Sequence, residues 1–231
     1  MLRLIIDTAL GYMGMGIAED SSVLASAIIE KPSTLTTLGV KTVDALLRTS
    51  GRDRHELREI AVSAGPGTFT SLRVGVSLAK GMSMGLAVPI VGVSTLDAMA
   101  VTVGPGVGYL ACATDGKNNT AYLAVYRLLP GTAEKVVPDT LIMVGPVDSA
   151  AGGPQILRQH PVRVLGFGVE RYREFLTGLC DRVEAWDRLE ISRMIGSLAR
   201  IAAGRLYGAA PCPAVTFTPE YLRAPAVNIK K

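Results

Sequence analysis

Apolar residues gather into short runs separated by glycine and polar turns, and the period of the runs changes along the chain. Leu2 to Asp7 reads as a buried strand, and GYMGMGIAE and VLASAIIE read as the next two strands of an antiparallel meander. The period then lengthens. Leu35, Leu38, Val43, Leu46 and Leu47 fall at helical spacing, Ser33 or Thr34 can cap that helix, and Gly51 suits the position past its end. EIAVSAG predicts a strand, Thr70 to Leu86 a helix and VPIVGV a strand, and Ser94 or Thr95 opens a helix carrying Met99.

After VGPGVG the pattern starts again. YLACATD and NTAYLAVYRL are strands and EKVVPDTLIMV a broken third; a short helix, the strand VRVLGFG, a helix from Glu170 and the segment RVEAW follow. The order strand-strand-strand-helix-strand-helix thus occurs twice, each time beginning with a strand that ends in aspartate, Asp7 and Asp115. A duplicated α/β fold is the economical reading: two related lobes, each a mixed β-sheet flanked by helices. The Pro/Gly-rich segment divides them into residues 1–104 and 105–231, with the last helix expected to pack back on the first lobe.

Aspartates at corresponding strand ends, each before a tight hairpin, are how actin-like and sugar-kinase-like folds hold magnesium and the phosphates of ATP. Carboxylates suit magnesium because it prefers hard oxygen ligands. Each aspartate can equally end its strand and cap its turn. In GKNNTAY, Lys117 can reach a phosphate, while Asn118 and Asn119 favour turn chemistry. Gly166-Phe167-Gly168 is either a backbone approach for an adenine or a plain turn.

Composition narrows the remaining chemistry. With 231 residues, 48% hydrophobic and 19% charged, the chain is expected to fold. No apolar run reaches the roughly 18 to 20 residues of a membrane span, and Asp7 interrupts what would be a signal peptide's core, so a cytoplasmic address is expected. Cys112, Cys180 and Cys212 stand far apart, outside any zinc or disulfide pattern. A net charge of +4 and a pI near 9.0 mildly favour an acidic partner, but the basic residues are scattered. The two histidines, His55 and His160, form no metal-binding frame, no G-x-S-x-G elbow presents a serine, and a hydrolase is poorly supported.

The stretch AVSAGPGTFTSLRVGVSLAKGM lacks the glycine spacing of the common nucleotide loops. On its helix, Ser71, Gly75 and Ala79 form one small-residue stripe and Ser77, Gly81 and Gly85 another. Each helical glycine costs roughly 1 kcal/mol against alanine, so close packing on two sides is expected in return. The preceding helix carries an apolar arc of roughly 200°, wider than the roughly 100° of a surface helix. Both helices are read as a protein-protein interface rather than as deep core, with Arg73 paired to a carboxylate. A charged residue at Val76 or Ala79 is then expected to break association without unfolding the chain.

Taken together, LIIDT, VSAGPGTFTSLRVGVSLAKGMSMGLAVPIVGVSTLDAMA, ATDGKNNTAYLAVY and PEYLRAP resemble the bacterial TsaB (YeaZ) family over nearly the whole chain. Gly65, Pro66, Gly67, Thr68, Phe69, Thr70, Leu72, Arg73 and Gly75 match its G-P-G-S-F-T-G-L-R-I-G signature, with Thr68 for serine and Ser71 for glycine. STLTTLGVK lacks the histidine the family often has early in the first helix, and D-A-R becomes Asp115-Gly116-Lys117.

The resemblance implies an actin-like ATPase (ASKHA, ribonuclease-H-like) fold. It implies a non-catalytic partner of TsaD, with no metal site, in making threonylcarbamoyladenosine at position 37 of tRNAs that read codons beginning with A. It further implies TsaD binding through the first two helices, self-association as a homodimer without TsaD, the ATPase TsaE as a third subunit, and tRNA reached through the complex. ATP or ADP and magnesium would belong to that complex. The candidate partner contacts are Leu35, Leu38, Thr42, Leu46, Thr70, Ser71, Leu72, Arg73, Gly75, Val76, Ala79 and Met82, and Asp7, Thr8 and Asp115 are candidates for a vestigial nucleotide site. The competing reading is an active ATP-dependent kinase or ATPase using Asp7 and Asp115. A peptidase, suggested by an old label on related proteins, lacks its metal ligands.

Overall fold

The computed structural model describes residues 1–30, 35–146, 153–220 and 222, and the side chains of residues 35–37 lie outside the described set. The expected caps Ser33 and Thr34, and most of PEYLRAP, also fall outside it. Strand β1 (Leu2–Asp7) is buried throughout, as a run apolar on both faces requires, and lies inside a six-stranded sheet. It pairs antiparallel with β2 (Tyr12–Glu19), which pairs antiparallel with the edge strand β3 (Ser22–Glu30). On its other side β1 runs parallel to β4 (Glu59–Gly65), then come β5 (Ile90–Ser94) and the two-residue β11 (Pro211–Cys212).

The second sheet repeats this plan. Its order is β10 (Arg182–Arg188), β9 (Pro161–Phe167), β6 (Gly108–Lys117), β7 (Thr120–Leu129) and β8 (Thr132–Met143). Each sheet has three consecutive antiparallel strands and two further strands added parallel beside the first of them. That repetition is the duplicated lobe of the actin-like ATPase fold. The third strand of the repeat is continuous rather than broken. Two register shifts opposite β7 absorb the irregularity, and Pro138 is tolerated because β8 is an edge strand.

Helices fill three layers. On one face of the first sheet α1 (Leu35–Ser50) and α2 (Phe69–Leu86) bury Val43, Leu46, Leu47, Val76 and Ala79 against Leu4, Ile6, Met15 and Val62. On its other face α3 (Thr95–Val103) and α6 (Met194–Gly204) share one core with both sheets, through Ile5, Ala61, Met99, Leu110, Tyr126 and Leu198. The short helices α4 (Ile156–Gln159) and α5 (Arg173–Gly178) cover the far face of the second sheet. The helix expected from Glu170 begins as a 3-10 turn, Glu170–Tyr172, before α5.

The end of α6 is tied to the first sheet by an ion triad in which Arg3 and Glu59 are buried and Arg205 is exposed. Arg3 and Glu59 are partners across β1 and β4, with Arg3 Nε 2.6 Å from Glu59 Oε1. Arg205, in left-handed conformation after α6, places Nη2 2.5 Å from Glu59 Oε2. Glu59→Ala strands the Arg3 guanidinium in the interior, which costs about 3–5 kcal/mol when one member of a buried pair is removed. Urea unfolding is expected to show a loss of that size, and a loss below about 1 kcal/mol would place Arg3 in contact with water.

Candidate functional site

The first expected site residue, Asp7, stands at the end of β1 and is fully enclosed. One carboxylate oxygen accepts the Ala9 amide at 3.2 Å and the other accepts the Tyr12 hydroxyl. Burial pushes the Asp7 pKa up, against the opposing pull of hydrogen bonds from Tyr12, Ser63 and Ala9. Thr8 is also buried; its amide donates to Ser63 Oγ at 3.3 Å and its hydroxyl to the Ser71 carbonyl at 2.7 Å.

The Gly-Pro-Gly turn closes this strand end. Thr68 donates its amide to the Ala9 carbonyl at 2.8 Å, and a side chain on Gly67 would overlap that same carbonyl. A side chain on Gly75, in the second turn of α2, would overlap the Thr8 hydroxyl. These glycines allow the close approach, and residues 8–9 lie buried beneath the turn. Ser71 meets the site through its carbonyl while its side chain is half-buried, so the side chain added at this position does not obstruct the approach.

Asp115, the corresponding strand end, is engaged differently. Its carboxylate accepts the Lys117 amide at 2.8 Å, and Lys117 Nζ and Arg171 Nη2 lie at 2.7 and 3.0 Å. Burial works against its charge, but Lys117 and Arg171 outweigh it and hold the pKa below the ordinary carboxylate range. Asn118 and Asn119 turn the hairpin at φ of 47° and 55°. Gly166, still within β9, borders a cavity of about 270 Å³ together with Arg173 and Trp186. His55 is exposed, and His160 stacks on Tyr109 at 4.4 Å. Among the described residues no three His, Cys, Asp or Glu side chains are placed to hold a metal ion.

The expected partner contacts separate into two sets. Leu46, Leu72, Gly75, Val76 and Ala79 are buried in the chain's own core, and Leu38 and Met82 pack half-buried against it. A charge at Val76 or Ala79 would therefore enter the core, correcting the expectation that such a change spares the fold. Thr42 is half-buried, and Thr70 and Arg73 are exposed, with the Arg73 guanidinium 3.8 Å over the Phe69 ring rather than on a carboxylate.

The outward face carries residues that sequence reasoning passed over or ranked second. Val40 is 50% and Met84 70% exposed, and Ser77, Gly81 and Gly85 complete an open stripe on α2. A side chain on Gly81 or Gly85 would meet nothing within 4 Å. Met84 also borders an apolar groove of about 550 Å³ formed with Pro89, Pro213 and Val215.

A family model described as TsaD, tRNA N6-adenosine threonylcarbamoyltransferase, matches residues 38–230. The tRNA threonylcarbamoyladenosine biosynthesis protein TsaB of Bacillus subtilis (strain 168) is 28% identical over 178 residues, 76% of this chain and 75% of that protein. TsaB of Escherichia coli (strain K12) is 32% identical over 129 residues, 55% of either chain. The chain belongs to the TsaB (YeaZ) family. Solved YeaZ from Pseudomonas aeruginosa superposes with a TM-score of 0.74 at 21% identity, covering 96% of this chain and 99% of that one, which shows a shared fold. The tRNA N6-adenosine threonylcarbamoyltransferase of Nitratidesulfovibrio vulgaris (strain DP4) is 44% identical over 116 residues, but the match covers only 28% of that protein.

The enclosure of Asp7 has a pH signature. An acid whose folded pKa lies above its unfolded value, about 3.9, binds more protons folded than unfolded, so unfolding free energy falls as pH rises through that window. Asp7→Asn removes this term while its amide can accept from Ala9 and donate to the Tyr12 oxygen. In urea titrations between about pH 4 and about pH 7 the variant is expected to lose less stability than the parent chain. Parallel curves would place the Asp7 carboxylate in solvent.

Proposed function

We propose that this chain is a non-catalytic subunit of the machinery that makes threonylcarbamoyladenosine in tRNA, acting by presenting the outer face of α1 and α2 to a TsaD-type enzyme. The closure of the β1 end is the observation that carries this reading. A phosphoryl-transfer site needs a carboxylate that reaches metal and phosphate oxygens. Here Asp7 is enclosed by Tyr12 and Ala9, the Gly65–Thr70 segment lies over residues 8–9, and Asp115 is engaged by Lys117 and Arg171. The kinase reading has no comparable support.

The open stripe supports the docking face. Glycine inside a helix costs roughly 1 kcal/mol relative to alanine. At Gly75 close packing on Thr8 offsets that cost, whereas Gly81 and Gly85 meet nothing in the isolated chain. A helix backbone laid against them would supply the missing contact, with Val40 and Met84 as apolar anchors. Without the enzyme a second copy of the chain would use the same face, giving a homodimer. In this reading a TsaE-type ATPase, ATP or ADP with magnesium, and adenosine 37 of the tRNA are engaged by the cytoplasmic complex rather than by this chain alone.

Gly81→Glu and Val40→Asp are expected to leave the thermal midpoint nearly unchanged, as surface changes within about 0.5 kcal/mol do. The same variants should weaken association with a TsaD-type subunit about tenfold to a hundredfold by calorimetry. Val76→Asp is expected instead to unfold the chain. Full-strength binding by folded Gly81→Glu would move the contact elsewhere.

A further inference from the structure

The two lobes meet across α3 along a largely apolar interface, which by itself favours contact without specifying an angle. At the rim of that interface stands a polar cluster that the docking face does not use. Lys135 on β8 places Nζ 2.6 Å from Asp97 Oδ1, in the first turn of α3, and 2.7 Å from Asp139 Oδ1 on its own strand. Tyr126, the cross-strand partner of Lys135, donates its hydroxyl to Asp97 Oδ1 at 2.8 Å. Ser94, at the end of β5, donates to Asp139 Oδ2 at 2.5 Å. Asp97 and Asp139 are 6% and 8% exposed and Lys135 21%, so these contacts operate largely out of water.

We propose that Lys135, Asp97, Asp139, Ser94 and Tyr126 form a latch that fixes the orientation of the second lobe over the first. Three of these four contacts, Lys135–Asp97, Tyr126–Asp97 and Ser94–Asp139, cross the lobe boundary. Each works from a fixed position: Ser94 Oγ also caps α3 by accepting the Asp97 amide at 3.3 Å, and register shifts in β7 next to Tyr126 set where the β8 residues project. The latch borders a cavity of about 310 Å³ that Tyr207 and Gly208 also line, and Tyr207 meets the Tyr126 ring edge-on at 6.0 Å. Burial works against both charges of the Lys135–Asp97 pair. At Lys135 the pull of Asp97 and Asp139 outweighs it and holds the ammonium pKa above its ordinary value. At Asp97 burial outweighs Lys135 and Tyr126 and raises the carboxyl pKa, so the 2.6 Å contact rather than titration defines the pair.

Two-lobed proteins can close around a ligand through a hinge. Here the chain crosses between lobes at Gly104 to Val107 and again between β10 and α6, and the latch lies across that boundary. Buried ion clusters replaced by neutral groups of similar shape often leave stability unchanged or improved, so orientation and stability can be separated. The test is the variant Lys135→Met, Asp97→Asn, Asp139→Asn, which removes every charge of the latch together.

Nitroxide labels on Arg48→Cys in α1 and Glu184→Cys in β10, with Cys180 and Cys212 changed to Ser, report the interlobe distance by pulsed electron resonance. The parent chain is expected to give one narrow distance. The neutral variant, with its melting temperature retained, is expected to give a distribution about twice as wide. Ser94→Ala, which keeps every charge and removes the contact to Asp139 together with the α3 cap, is expected to broaden it less and remains readable should the triple variant fail to fold. Widths unchanged from the parent in the folded variants would overturn the latch.

Discussion

Backbone seats directly on backbone where the Gly65–Thr70 segment meets the β1–β2 hairpin, and the rest of the architecture follows from that approach. The Thr68 amide bonds the Ala9 carbonyl, and Gly67 and Gly75 have no side chain to hold the surfaces apart. The seating encloses Asp7, engages the Thr8 hydroxyl on Ser71, and sets the direction in which α2 leaves the sheet. A glycine turn after a strand can as readily cradle a phosphate. Here its amide and its empty Cβ positions are directed at the protein itself.

Once α2 is placed, its two faces do different work. Leu72, Val76 and Ala79 fill the core beneath it, while Ser77, Gly81 and Gly85 remain open above. An isolated chain has no use for glycines on an exposed helix surface, where alanine would favour the helix by roughly 1 kcal/mol at each position. The sealed strand end and the open helix face therefore support one account: chemistry is withdrawn from the cleft, and recognition is moved to the outside of the first lobe.

Fold class was legible because strand and helix periods alternate cleanly and because the order of elements recurs after Gly104. The strand ending at Asp7 and the helix ending near Leu86 follow from local pattern alone. Which stripe of α2 faces inward was not legible: Ser71, Gly75 and Ala79 differ little in hydrophobicity from Ser77, Gly81 and Gly85. The approach of Thr8, more than sixty residues earlier in sequence, fixes the inward stripe together with the core around Val76 and Ala79. Enclosure of Asp7 depends on Tyr12, Ser63 and the turn over Ala9, and the Lys135–Asp97 contact joins residues from different lobes. Long-range polar pairing leaves no periodic trace, so the site was read as a pair of strand-end aspartates while its closure was not.

Reconstituted threonylcarbamoylation of tRNA most directly tests the claim that this chain serves as a subunit without chemistry of its own. A TsaD-type enzyme with its threonylcarbamoyl donor, ATP and magnesium is assayed with and without the chain, alongside the chain alone. The account predicts modification that rises when the chain is added, no turnover by the chain alone, and stimulation retained by Asp7→Asn. Turnover by the isolated chain that Asp7→Asn abolishes would contradict it.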